Sequence, residues 1–283
     1  MNADAVPTIK VQSNIVEVSA IVRDASGAPV SGLKQADFEL KQDGKPQPIR
    51  FFSQGADLPL TLALMVDTSG SQRAYERDEI AAGKAFFPAM MTRPDDRAML
   101  VQFDDRPLIL AALTTKETTL EHALAYLTQP HGDIGQAGGG GTLLYDAIVG
   151  VAHLELSTQL GRKAMVILTD GGDNGSHFHQ KDAIREAQRA GIMVYTIYYS
   201  QGGGDENGLE QISRATGGRE FAVSEKMKLT DIYAAIAADL RQCYELGYTP
   251  PDLRPNRYHK IDLATTDKKL AVQAREGYYT PKQ

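Results

Sequence analysis

Two runs that are apolar but for Thr61 and Thr169, residues 60–66 and 164–169, each lead into an aspartate, Asp67 and Asp170. A run without polar alternation marks a strand buried on both faces, and such strands belong to parallel sheets covered by helices on each side. From residue 58 to about 242, strand patterns alternate with helical ones. Strands are expected at 60–66, 98–103, 108–112, 164–169, 193–199 and 219–223, and helices at 75–91, 117–127, 143–156, 181–190, 208–216 and 229–242. That rhythm predicts an α/β fold: a doubly wound, mostly parallel sheet flanked by helices.

The two ends of the chain have a different texture. In residues 8–56, Val16, Val18, Ala20 and Val22 alternate with Glu17, Ser19 and Ile21. Phe38 and Leu40 alternate with charged residues before Asp43-Gly44, a strong hairpin signal, and Ile49, Phe51 and Phe52 are expected to form the partner strand. After Cys243, strands are expected at 244–249, 258–263 and 270–275. About 40 residues cannot easily bury a core alone. Residues 244–280 are therefore expected to pair with residues 8–56 in one discontinuous, immunoglobulin-like β-sandwich, into which residues 57–243 are inserted. A chain of 283 residues fits two domains at roughly 150 residues each.

Composition narrows the function classes. The net charge is −6, with no basic block, which argues against nucleic acid or an anionic membrane as the main partner. Cys243 is the only cysteine, so intrachain disulfides and multi-cysteine zinc sites are excluded. No apolar run approaches the ~20 residues of a spanning helix. The first residues lack the basic and apolar regions of a signal peptide. The protein is then either cytosolic or has lost a leader, and the second is expected.

Asp67, Ser69 and Ser71 stand at alternate positions where the first apolar run ends. Short oxygen donors on one tight turn suit a hard dication such as Mg²⁺, which takes six oxygens at about 2.0–2.1 Å. Alone, the string also reads as a helix cap. Two further segments bring donors to the same kind of place. Thr142 follows the glycine run 138–141 and opens a helical pattern, and Asp170 ends the second apolar run ahead of Gly171 and Gly172. Strand ends at the carboxyl edge are where open α/β sheets bind ligands.

In these residues the chain resembles the von Willebrand factor A family, whose metal-ion-dependent adhesion site is written Asp-x-Ser-x-Ser, then a Thr, then an Asp. The matching positions are Asp67, Ser69, Ser71, Thr142 and Asp170. The resemblance implies that Ser69, Ser71 and Thr142 are hydroxyl ligands, direct or through water, and that Asp67 and Asp170 hold the ion partly through waters. The ion would be Mg²⁺, with Mn²⁺ or Ca²⁺ as substitutes. One coordination position would stay open for an Asp or Glu carboxylate of a protein partner. Over nearly its whole length the chain is also similar to bacterial, acidobacterial-type proteins with related domains. They share patterns like Asp37-Phe38, Asp43-Gly44-Lys45 and Tyr244-Glu-Leu-Gly-Tyr-Thr-Pro250. That group suggests a secreted, periplasmic or cell-surface location.

Other motifs carry less. The glycine run lacks the Gly-Lys-Ser/Thr ending of a phosphate loop. His177 and His179 could hold a transition metal only with further ligands, which the nearby sequence does not offer. Asp104 and Asp105 fit a turn. No nucleophile elbow, zinc-protease motif or cysteine–histidine pairing appears, so an enzyme is not expected. Two other readings stay open: a structural scaffold stabilised by its metal, and a Mg²⁺-dependent phosphohydrolase, although the latter's second carboxylate is replaced by Ser69.

Overall fold

A computed structural model describes residues 15–54, 58–69, 76–127, 141–199 and 203–281. Four strands open the chain: β1 (Val16–Arg23), β2 (Phe38–Gln42), β3 (Lys45–Pro46) and β4 (Phe51–Gln54). Then come β5 (Leu60–Asp67), α1 (Glu76–Met90), β6 (Arg97–Phe103), β7 (Pro107–Thr114), α2 (Glu117–Leu124), α3 (Leu144–Gly150), β8 (Arg162–Thr169), α4 (Gln180–Ala190), β9 (Ile192–Tyr198), α5 (Glu206–Thr216), β10 (Glu220–Ala222) and α6 (Leu229–Gln242). The chain closes with β11 (Tyr244–Tyr248), β12 (Tyr258–Thr265), β13 (Ala271–Ala274) and β14 (Gly277–Tyr279).

The central sheet has six strands in the order β10-β9-β8-β5-β6-β7. All neighbours are parallel except β7, which runs antiparallel to β6. Three residues join β6 to β7, too few for the crossover a parallel pair requires. Every residue of β5 is buried. Leu62, Leu64 and Val66 face a core shared with Phe86, Phe87, Ile236 and Leu240, while Ala63 and Met65 face a second core with Ala147, Ile148 and Ala187. Helices on both faces thus explain why the run is apolar but for Thr61.

The expected helix 143–156 divides. After α3 the chain continues as a π-helical stretch, Val151–Leu156. Val151, Ala152 and Leu156 are buried there, whereas Leu154 is exposed. The buried positions Leu144, Ile148, Ala152 and Leu156 stand four residues apart through both stretches.

The remaining strands make two four-stranded sheets, β13-β1-β11-β4 and β14-β12-β2-β3, each drawing on both ends of the chain. Their apolar side chains share two clusters, one with Val18, Leu40, Tyr248, Ile261 and Tyr278, the other with Ala20, Val22, Phe38, Tyr244 and Leu246. Asp43-Gly44 is a two-residue turn with both φ angles positive, at 50° and 77°. The expected partner strand is corrected, however. The residues pairing with β2 across the turn are Lys45–Pro46, and Phe51–Gln54 crosses to the other sheet and pairs with β11. Pro46 and Pro48 supply no N–H, and past Lys45–Pro46 the hairpin thins to the Gln47 N–H, which donates to the Leu40 carbonyl at 2.9 Å. A further strand, Gly277–Tyr279, was not expected; three residues are too few to show a period.

The first sheet lies against the lower edge of the central unit. Ile21 projects into the central core, and Arg23 forms a 2.6 Å ion pair with Asp239 of α6, whose side chain is 2% exposed. Arg162, at the start of β8, donates to the carbonyl of Leu58 at 3.0 and 2.8 Å and to that of Leu240.

Candidate metal centre

Asp67 ends β5 and Thr169 ends β8, and the pairing of Val66 with Leu168 sets the two strand ends side by side. The sheet winds outward from this pair, toward β6 on one side and β9 on the other. Such a switch point leaves a crevice at the carboxyl edge.

Asp67 is wholly buried. Its Oδ1 accepts the Ser69 N–H at 2.9 Å, and its Oδ2 accepts the Thr169 hydroxyl at 2.6 Å. Burial pushes the Asp67 carboxyl up to about 6 despite these bonds, and the nearby charge of Asp170 pushes the same way. Asp170 follows β8 directly; its Oδ1 accepts the Gly172 N–H at 2.9 Å, and its carbonyl accepts the Asp205 N–H at 3.0 Å. Between them, Gly171 has φ +79°, and a Cβ there would lie 2.7 Å from the Asp205 carbonyl oxygen. Only glycine lets the two loops approach this closely.

Thr142 is buried just before α3. Its N–H donates to Asn174 Oδ1 at 2.6 Å, and its carbonyl accepts the Asn174 N–H at 3.2 Å. The next residue, Leu143, donates its N–H to the Asp104 carbonyl at 2.8 Å. The Thr142 loop is thereby clipped to the end of β6 and to the loop after β8. Asp67, Ser69, Thr142 and Asp170 all lie on this one edge. Ser71 and residues 138–140 of the glycine run fall outside the described residues.

The donor chemistry fits a hard dication. The described partners of Asp67 are a hydroxyl and serine groups, all neutral, so its charge is met by hydrogen bonds and by no described cation. A buried carboxylate next to another is costly unless a positive charge accompanies them. Oxygen donors from carboxylate and hydroxyl suit Mg²⁺, Mn²⁺ or Ca²⁺ far better than soft metals. Two residues of this edge escaped the sequence reading, Thr169 and Asn174. Neither stands out in the sequence: the bond from Thr169 depends on β8 lying beside β5, and Asn174 acts through a loop that has no period.

The other candidates resolve differently. His177 Nδ1 lies 3.0 Å from Asp146 Oδ2 with its side chain 90% exposed, and His179 precedes α4. Among the described residues no three His, Cys, Asp or Glu side chains gather as a metal cage; the hydroxyl-rich set above holds only two carboxylates and is of another kind. Asp104 accepts the Arg106 N–H at 3.3 Å, a turn role. Cys243 is buried and its thiol is pushed up to about 12 by burial, which leaves it unreactive.

No curated protein sequence matches the chain. Among solved structures it is similar to a von Willebrand factor type A protein from Catenulispora acidiphila, at 11% identity and a TM-score of 0.53, over 96% of this chain and 75% of that one. It is also similar to proximal thread matrix protein 1 from the mussel byssus with a zinc-occupied adhesion motif (18% identity, TM-score 0.53, 70% of this chain and 49% of that one). A third likeness is to the type V pilus tip protein Mfa5 of Porphyromonas gingivalis (16%, 0.50, 64% and 94%). These identities speak for the fold alone. The profile of the von Willebrand factor type A domain itself matches residues 61–235, the span from β5 into α6 that builds the edge just described, and on that match the chain belongs to the von Willebrand factor type A domain family.

Proposed function

We propose that the protein is a divalent-metal-dependent interaction module, not an enzyme, that captures an Asp or Glu side chain of a protein partner at an adhesion site formed by Asp67, Ser69, Ser71, Thr142 and Asp170. Domains of this family generally mediate protein–protein interaction. The observation that carries the reading is the buried Asp67 beside Asp170, with neutral described partners. When bound, the ion supplies a Lewis-acidic position for an external carboxylate. The chain's own residues do the rest: Thr142 adds a neutral hydroxyl, Ser69 braces Asp67, and the Asn174 clip holds the Thr142 loop to the edge. Two carboxylates among hydroxyls leave Mg²⁺, Mn²⁺ or Ca²⁺ with residual charge for the partner.

We place this module, residues 57–243, as an insertion in an immunoglobulin-like β-sandwich made of residues 8–56 and 244–280. The two mixed-end sheets and their shared apolar clusters support that reading. A secreted, periplasmic or cell-surface location accords with the pilus-tip and byssus relatives; among the described residues no helix is long and apolar enough to cross a membrane. The test is retention of partners from the native organism's envelope on the immobilised protein in Mg²⁺ or in excess EDTA, followed by titration of the recovered partner. Binding should need the metal and fail with Thr142→Ala at unchanged melting temperature. Affinity undiminished by EDTA would overturn the reading.

A further inference from the structure

The Thr169 hydroxyl has one proton and sits between two groups that fix its direction. It accepts the Gly171 N–H at 3.0 Å, so the proton points to Asp67 Oδ2, 2.6 Å away. Thr169 is completely buried, and its carbonyl accepts the Tyr199 N–H at 3.1 Å, which anchors the residue to the neighbouring strand. The other oxygen of Asp67 already holds the Ser69 N–H. A chain of hydrogen bonds therefore runs from the backbone just past Asp170, through Thr169, to the carboxylate of Asp67.

We propose that Thr169 is a positioning residue that keeps Asp67 Oδ2 engaged and sets the separation of the two acidic side chains, so that Asp67 does not take the coordination position meant for the partner's carboxylate. This rests on the metal-site reading above. Outer partners of this kind orient ligating carboxylates and tune what the metal retains. Freed of the hydroxyl, Oδ2 loses its 2.6 Å donor and turns to the ion directly, displacing a metal-bound water.

The probe is Mn²⁺ alone, titrated into chelator-stripped protein, with the inner-sphere water count read from ¹⁷O and proton relaxation. Thr169→Val keeps the shape and removes the hydroxyl; bound Mn²⁺ should lose about one water relative to wild type, and Thr169→Ser should keep the wild-type count. Far-UV circular dichroism establishes that each variant is folded, and Thr169→Ala carries the same expectation if the valine variant is not. A folded Thr169→Val or Thr169→Ala protein whose Mn²⁺ holds the wild-type number of waters would overturn the proposal. Wild-type protein that binds no Mn²⁺ would remove the metal site itself, a different failure, and the role of Thr169 with it.

Discussion

At Asp67 a full carboxylate sits without access to water, and burial outweighs three hydrogen bonds in raising its pKa to about 6. Its ordinary value is 3.8. With the folded value above the unfolded one, the metal-free chain binds more protons than its unfolded form between these limits, so its stability falls as pH rises from about 4 through 6. A dication reverses this tension, because it needs the ionised form. At pH 5 most of Asp67 is protonated, and Mg²⁺ affinity should be roughly tenfold lower than at pH 7.5. Differential scanning fluorimetry at a fixed Mg²⁺ concentration should accordingly show a stabilisation of about 2.7 kcal/mol at pH 7.5, at 100 times Kd, and about half of that at pH 5. Equal shifts at both pH values would show that Asp67 is not a ligand. Asp67, Ser69, Ser71, Thr142 and Asp170 could be singled out by residue type and strand-end position together with the family resemblance. Thr169 could not, since its contribution depends on which strand lies beside β5, and adjacency in a sheet is not written in local sequence.

Elements were legible to the extent that one period ran through them. The central strands and the helix α6 announce themselves by long apolar runs or a steady helical spacing, and the Asp43-Gly44 turn by its two positive-φ residues. A change of hydrogen-bond spacing leaves no such mark: the pattern over 143–156 looks like one helix, and the structure runs α3 straight into a π-helical stretch. Strand pairing was less legible still: β4 resembles a hairpin partner, but the hairpin thins at its prolines and β11 offers a longer ladder. The contact between β1 and α6 is also long-range, and it sets a second prediction. Arg23 is 13% exposed and Asp239 2% in their ion pair, and burial raises the Asp239 carboxyl even against the pull of Arg23. Arg23→Met would strand that acid and should cost about 3–5 kcal/mol in urea unfolding, whereas Arg23→Met with Asp239→Leu should recover most of the loss. A single variant as stable as wild type would mean the pair does not join the elements.

For the molecule as a whole, the contact region between the mixed-end sheets and the central unit is polar and deeply buried. Glu245 of β11 is 4% exposed there. Burial pushes its carboxyl up to about 7 from 4.5, against hydrogen bonding from Ser19 and the charges of Arg162 and Arg275. The folded form thus holds a proton that the unfolded form has released between about pH 4.5 and 7, and the stability this confers declines as pH rises across that window. Glu245→Gln should flatten the decline; chemical unfolding at pH 5 and 7.5 measures it, and an unchanged slope would remove Glu245 from the account. The same region contains Arg162, whose guanidinium touches both the Leu58 carbonyl and the Leu240 carbonyl. On the proposed domain arrangement, one side chain thus spans the two ends of the central segment, Leu58 and Leu240, far apart along the backbone but adjacent in space. Such a segment has the geometry of a transplantable cassette. Cut at those two positions, it could be spliced into a surface loop of an unrelated host without prying the recipient scaffold apart.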